Sequence, residues 1–89
     1  MPAYIVCYDL HTPGQKYECL EKKIKAYGTW CHLQQSVWIV STNQNSVSIR
    51  DNLKACLDSN DKLFVGRLSG EGAWMGYVKK TSDWLMDTL

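Results

Sequence analysis

Ala3-Tyr4-Ile5-Val6-Cys7-Tyr8 is the stretch on which the fold turns. It is an unbroken apolar run, without the in-out alternation of a half-exposed strand, so it predicts a strand buried on both faces. Asp9 ends the run. His11-Thr12-Pro13-Gly14 follows as turn chemistry, proline fixing φ and glycine supplying permissive geometry. A second such run lies at residues 37–42, where Val37 and Ile39 alternate with Trp38 and Val40 and both sets are apolar. Two strands of this kind belong in the middle of a sheet.

Between them, residues 17–27 predict a helix. Leu20, Ile24 and Tyr27 share one side, while Glu21, Lys22, Lys23 and Lys25 populate the other. Glu18 with Lys22 and Glu21 with Lys25 are pairs in the favourable order, and Gly28 is a stop signal. Residues 29–34 and 37–42 read as a tight hairpin split by Gln35-Ser36. Asn45 or Ser46 can cap a second helix that runs to about Leu57 on Ile49, Leu53, Cys56 and Leu57. After the Asp58-Ser59-Asn60-Asp61 turn cluster, residues 62–68 predict a fourth strand.

The order β-α-β-β-α-β is the split βαβ arrangement, an α+β ferredoxin-like sandwich spanning residues 1–69. Right-handed crossovers put both helices on one face of the sheet. The other face is then bare, yet strands one and three are apolar on that side too, and a face of that character needs a cover. A second copy of the chain is the simplest cover, and two-fold pairing is the commonest closed symmetry, so a homodimer is expected. The tail, residues 70–89, is an alternative cover. It carries Trp74, Met75 and Tyr77 and then a helical stretch from about Thr81 with Trp84 and Leu85. It can pack on its own core or on the partner protomer.

Length and composition set the outer limits. A chain of 89 residues is one domain, and 45 % apolar with 21 % charged residues excludes disorder. Ten basic against nine acidic residues give a net charge of +1. That argues against a long duplex-binding platform and leaves room for a local site or a small nucleotide ligand. The apolar runs are strand-sized, so no membrane span is expected. Cys7, Cys19, Cys31 and Cys56 form no Cys-x-x-Cys pair, and no secretory segment opens the chain. They read as buried thiols of a cytoplasmic protein. A zinc site from Cys31 and His32 is disfavoured, because neighbours in a strand point to opposite faces.

On this plan, Tyr8-Asp9-Leu10 at the end of the first strand, Tyr27-Gly28 after the first helix, Ser36-Val37-Trp38 opening the third strand, and Asp61 form a pattern. It resembles the small CRISPR-associated ferredoxin-like nuclease family, the dimeric partner of the spacer-integration enzyme. It is closer still to the phage and bacterial relatives labelled "SinR family", with the virulence-associated protein D ribonucleases as more distant cousins. The likeness covers about residues 3–68. It implies a homodimer with the family's metal-ligating aspartate at Asp9, its hydroxyl before the third strand at Ser36, and Mg²⁺ or Mn²⁺ as the ion. Near the CRISPR branch the family places Arg or Lys soon after that aspartate. Here only Lys16 stands in that loop, which argues against duplex binding and spacer integration.

Asp9 is therefore the leading candidate. Two such carboxylates brought together by a dimer repel unless a cation lies between them, and a hard divalent ion takes oxygen ligands and activates water on a phosphodiester. The competing reading is that Asp9 caps its own loop. His11 suits acid–base catalysis because imidazole exchanges protons near neutral pH, though it also fits a solvated loop. With Ser36 these make the expected catalytic set, and Tyr8, Lys16 and Trp38 the expected substrate contacts. Trp30, Trp38, Trp74 and Trp84 can stack bases but more often fill cores and interfaces, and His32 reads as a packed histidine. The chain holds no Gly-rich phosphate loop, nucleophile elbow or His-Glu-x-x-His pattern. The expected function is a dimeric, divalent-metal-dependent nuclease. The alternative is a non-catalytic dimeric module that binds nucleic acid, a nucleotide signal or a defence-related protein, including in phage counter-defence.

Overall fold

The computed structural model describes residues 1–11 and 17–89. Its elements are β1 (Ala3–Asp9), α1 (Tyr17–Lys25), β2 (Thr29–Gln34), β3 (Val37–Ser41), α2 (Ser46–Lys54), β4 (Lys62–Arg67) and α3 (Lys79–Thr88). The strands form one antiparallel sheet in the order β2-β3-β1-β4. The two apolar runs are the central strands, as expected of segments hydrogen-bonded on both sides and covered on both faces.

Tyr4, Val6 and Tyr8 of β1, with Trp38 and Val40 of β3, point toward α1 and α2. There they meet Leu20, Ile24, Ile49 and Leu53, all four inaccessible to solvent. Asn45 is the cap of α2, its side-chain oxygen accepting from Ser48 N–H at 2.8 Å. Both helices stop short of their expected ends by one tight turn. Tyr27 N–H donates to Ile24 and Gly28 N–H to Lys25, and Cys56 and Leu57 do the same onto Leu53 and Lys54. Such shorter-range bonds satisfy end carbonyls that helical geometry leaves open. Gly28 then turns the chain at φ +89°, a conformation that costs glycine little.

Two of the cysteines depart from expectation. Cys19 of α1 and Cys56, just past α2, form a disulfide with Cα atoms 5.8 Å apart, while Cys7 and Cys31 are free thiols. The helices lie side by side on one sheet face, so residues remote in sequence become neighbours. Lys23 Nζ to Asn52 Oδ1 (3.3 Å) and Asn52 Nδ2 to Tyr27 OH (3.0 Å) add polar links along the same seam.

On the other sheet face the tail folds back over its own chain. Leu85 of α3 is buried against Ala3 and Ile39, with Ile5, Leu33, Leu68, Trp74, Tyr77, Trp84 and Leu89 around them. Gln34 Nε2 donates to Tyr77 OH at 3.1 Å and ties the tail to the sheet, while Trp74 Nε1 donates to Ser82 Oγ at 3.0 Å within the tail itself. The cover is partial. Toward the end of β1, Cys7 and Phe64 lie directly opposite each other in the β1–β4 register, and Phe64 keeps 62 % of its surface exposed. Its ring leans over Gly66, where a Cβ would come within 2.8 Å of it. Among the described residues no helix is long and apolar enough to cross a membrane.

Candidate functional site

The end of β1 gathers most of the residues singled out in the sequence. Alternation along the strand sends Tyr8 inward and Asp9 outward. Tyr8 is buried, and its hydroxyl accepts a hydrogen bond from Trp38 Nε1 at 3.0 Å. Burial pushes the Tyr8 phenol above its ordinary value of 10.0, the indole bond pulling the other way. Trp38 is wholly buried, and His32 lies flat on it with ring centroids 3.8 Å apart. Tyr8 and Trp38, expected as substrate contacts, thus sit in the core with their polar atoms bonded to one another.

Asp9 is exposed and lies opposite Lys62 in the register. With Cys7, Tyr8, Lys62, Leu63 and Phe64 it lines a shallow cleft of about 250 Å³ on the half of the sheet that α3 leaves open. Ser36, half-buried in the β2–β3 turn, reaches the same end of the sheet: its carbonyl accepts from Tyr8 N–H at 3.2 Å. His11 is exposed one turn further on. Lys16 lies outside the described residues. Asp9, His11 and Ser36 thus share one end of the sheet, and Tyr8 and Trp38 lie beneath it.

Asp61 organises that end in a way its place in a polar turn cluster did not reveal. One carboxylate oxygen accepts from His11 N–H and the other from Asp58 N–H, both at 2.8 Å. A single side chain therefore ties the segment leaving β1 to the segment entering β4. A carboxylate flanked by Ser, Asn and Asp is a recognisable turn former, but its second partner, fifty positions away, has no local signature.

Among the described residues no group of three or more His, Cys, Asp and Glu side chains is placed to share a metal ion. A magnesium ion needs fewer protein ligands than that. It keeps several waters and commonly takes one or two carboxylates; Asp9 is the exposed carboxylate at this end of β1.

The buried phenol–indole pair sets a first expected result. Tyr8→Phe removes an acceptor from a buried indole N–H and is expected to cost about 1–2 kcal/mol at neutral pH. Because the folded-state pKa lies above the unfolded one, the neutral phenol's contribution is full below about pH 10 and fades as pH rises through the folded value. The gap between wild type and Tyr8→Phe in urea denaturation should therefore narrow in strong alkali. A gap that widens there contradicts a buried, neutral Tyr8.

Trp30, one of the four tryptophans noted in the sequence, joins a second aromatic group whose assembly the sequence did not indicate. Trp30 of β2 lies 5.4 Å from Trp38, tilted by 56°, and Lys25 Nζ sits 5.3 Å from the Trp30 ring centroid. It lies at the free edge of the sheet, away from the β1 terminus. No protein-family model matches the chain, and no solved structure matches it.

Proposed function

We propose that the chain is a ferredoxin-like homodimer acting as a small divalent-metal-dependent nuclease on nucleic-acid phosphodiesters, with Asp9 of each protomer at a shared ion. The observation that carries this reading is the placement of exposed Asp9 beside Phe64 and Cys7 in one cleft on the half-open sheet face. Strand order β2-β3-β1-β4 with both crossover helices on one side agrees with the ferredoxin-like plan. An exposed phenylalanine next to a half-buried thiol supplies apolar surface for a second copy, and closing that surface draws the two first-strand ends together. A magnesium or manganese ion bound there would neutralise phosphate charge and lower the pKa of a bound water. Asp9 would anchor it, His11 would protonate the leaving oxygen as the P–O bond breaks, and the Ser36 hydroxyl would orient the phosphate. The Cys19–Cys56 bond counts against the cytoplasmic location expected from the sequence, because cytosolic thiols are kept reduced.

In the test, light scattering is run alongside Mn²⁺-dependent cleavage of single-stranded RNA and DNA. Asp9→Ala is expected to lower cleavage at least ~100-fold, in line with the several kcal/mol that a metal centre contributes to a transition state. Phe64→Glu is expected to yield monomers that no longer cleave. Undiminished cleavage by purified Asp9→Ala ends the proposal. The second reading is a non-catalytic dimeric binding module, favoured by Lys62, which sits opposite Asp9 in the strand register and puts a cation on the same end of the sheet. Under it, ligand binds and no strand is cut.

A further inference from the structure

The free edge of β2 carries an aromatic and cationic assembly that the reading above leaves unused. β2 pairs only with β3, so it borders the sheet. A cleft of about 550 Å³ runs along it, lined by Thr29, Trp30, Cys31 and His32 on the strand and by Lys80 and Trp84 of α3. His32 is exposed even though one face of its ring rests on Trp38, so its other face is turned to solvent. The plate is rigid. Trp38 beneath it is fully buried, and the imidazole Nε2 is engaged with the Gln35 carbonyl at 3.1 Å. Trp30, at 36 % exposure, forms the adjoining wall, and Lys25 sits over its ring. Lys80 stands exposed on the far side of the cleft.

We propose that this cleft is a binding site for single-stranded nucleic acid, in which a base stacks on the open face of His32 against Trp30 while Lys25 and Lys80 meet the flanking phosphates. A preordered aromatic plate is the economical part of such a site, because every base has a π-face and the ring under it is already held by its neighbours. Lys25 lies over the Trp30 ring and Lys80 lines the α3 side of the cleft, so a backbone threading the cleft passes between the two cations. A free strand edge also accepts peptides, but that needs only backbone groups and leaves the aromatic and basic placement without a role. The site is on a different strand from Asp9, and nothing in it depends on cleavage.

The experiment is fluorescence anisotropy with labelled oligo(dT) and oligo(U) of about ten nucleotides, within the usual site-size range for such modules. The full chain is titrated at low salt in EDTA, so that binding is read without metal chemistry. Wild type is expected to bind saturably. Trp30→Ala and His32→Ala should each weaken binding about 5-fold or more, and His32→Phe, which keeps a flat ring, should restore it. Lys25→Gln and Lys80→Gln should each reduce the salt slope by about one. Far-UV circular dichroism and melting separate loss of binding from loss of fold. Absence of saturable binding by wild type, equal binding by folded Trp30→Ala and His32→Ala, or capture of an extended peptide with oligonucleotides silent would each overturn the proposal. Failure of the Asp9 cleavage assay leaves this readout intact.

Discussion

Trp38→Ala is expected to destabilise the domain by about 3–5 kcal/mol, the range for emptying a large aromatic site in a core. Trp38 has no exposed surface and sits where three rings meet: Tyr8 accepts its N–H, His32 stacks on its face and Trp30 packs against it at a tilt. Truncation removes all three contacts and strands the Tyr8 hydroxyl in the core without its donor, a further desolvation cost. A domain of this size has a total stability of only ~5–13 kcal/mol. The variant should therefore unfold at markedly lower urea, with part of the population unfolded at 37 °C. Trp38→Phe keeps a ring and loses only the donor and some volume, so it should cost about 1–2 kcal/mol. Trp30→Ala, from a partly exposed edge position, should cost less than Trp38→Ala by a wide margin. The ranking is read from urea midpoints followed by far-UV circular dichroism. A loss below about 1.5 kcal/mol for Trp38→Ala would mean that Trp38 is not the keystone of this cluster.

The same cluster marks where sequence reading succeeded and where it stopped. The apolar runs at Ala3–Asp9 and Val37–Ser41 betrayed central strands because burial on both faces leaves no room for alternation. Gly28 and Asn45 marked helix boundaries through chemistry that acts within a few residues. The α+β plan and the antiparallel four-stranded sheet follow from such local signals. The partners of His32 do not. An even two-residue hairpin on Gln35-Ser36 would have set Leu33 opposite Trp38. Instead the register shifts between His32 and Gln34, and His32 pairs with Trp38. One extra residue in a strand exchanges the faces of everything beyond it, and no local signal placed the bulge at Leu33. The stacked plate at the edge of β2 was invisible for that reason. Coverage of the second sheet face was foreseen as a need, with the tail as one candidate. How far the tail reaches depends on the packing of Leu85 and Trp74, and that determines which half stays open. Asp9 was legible as the acid that ends the first strand, whereas the Asp61 bridge to His11, with its long sequence separation, was not.

Removing the Cys19–Cys56 crosslink is expected to have an effect of similar size by a different physical route. The bond joins residues separated by 37 positions, enclosing α1, the β2–β3 hairpin and α2. By the chain-entropy account, closing a loop of that length restricts the unfolded ensemble by about 4 kcal/mol. Folded-state contacts alone hold the helices less firmly, since the polar links between them, Lys23–Asn52 and Asn52–Tyr27, are exposed. In Cys19→Ser/Cys56→Ser the melting temperature should fall by roughly 15–30 °C, given about 4–8 °C per kcal/mol for a domain this small. Dithiothreitol should bring wild type down to the same value, its thiols reducing the bond by exchange and leaving two cysteine thiols on the protein, while the variant ignores the reductant. Thiol counting supplies an independent check. Denatured, unreduced wild type should take up label only at Cys7 and Cys31, whose thiols burial pushes upward in pKa and keeps unreactive in the folded state. If all four cysteines label before reduction, or if the double serine variant melts within a few degrees of wild type, the helices are held together by packing and the crosslink is not part of what stabilises the fold.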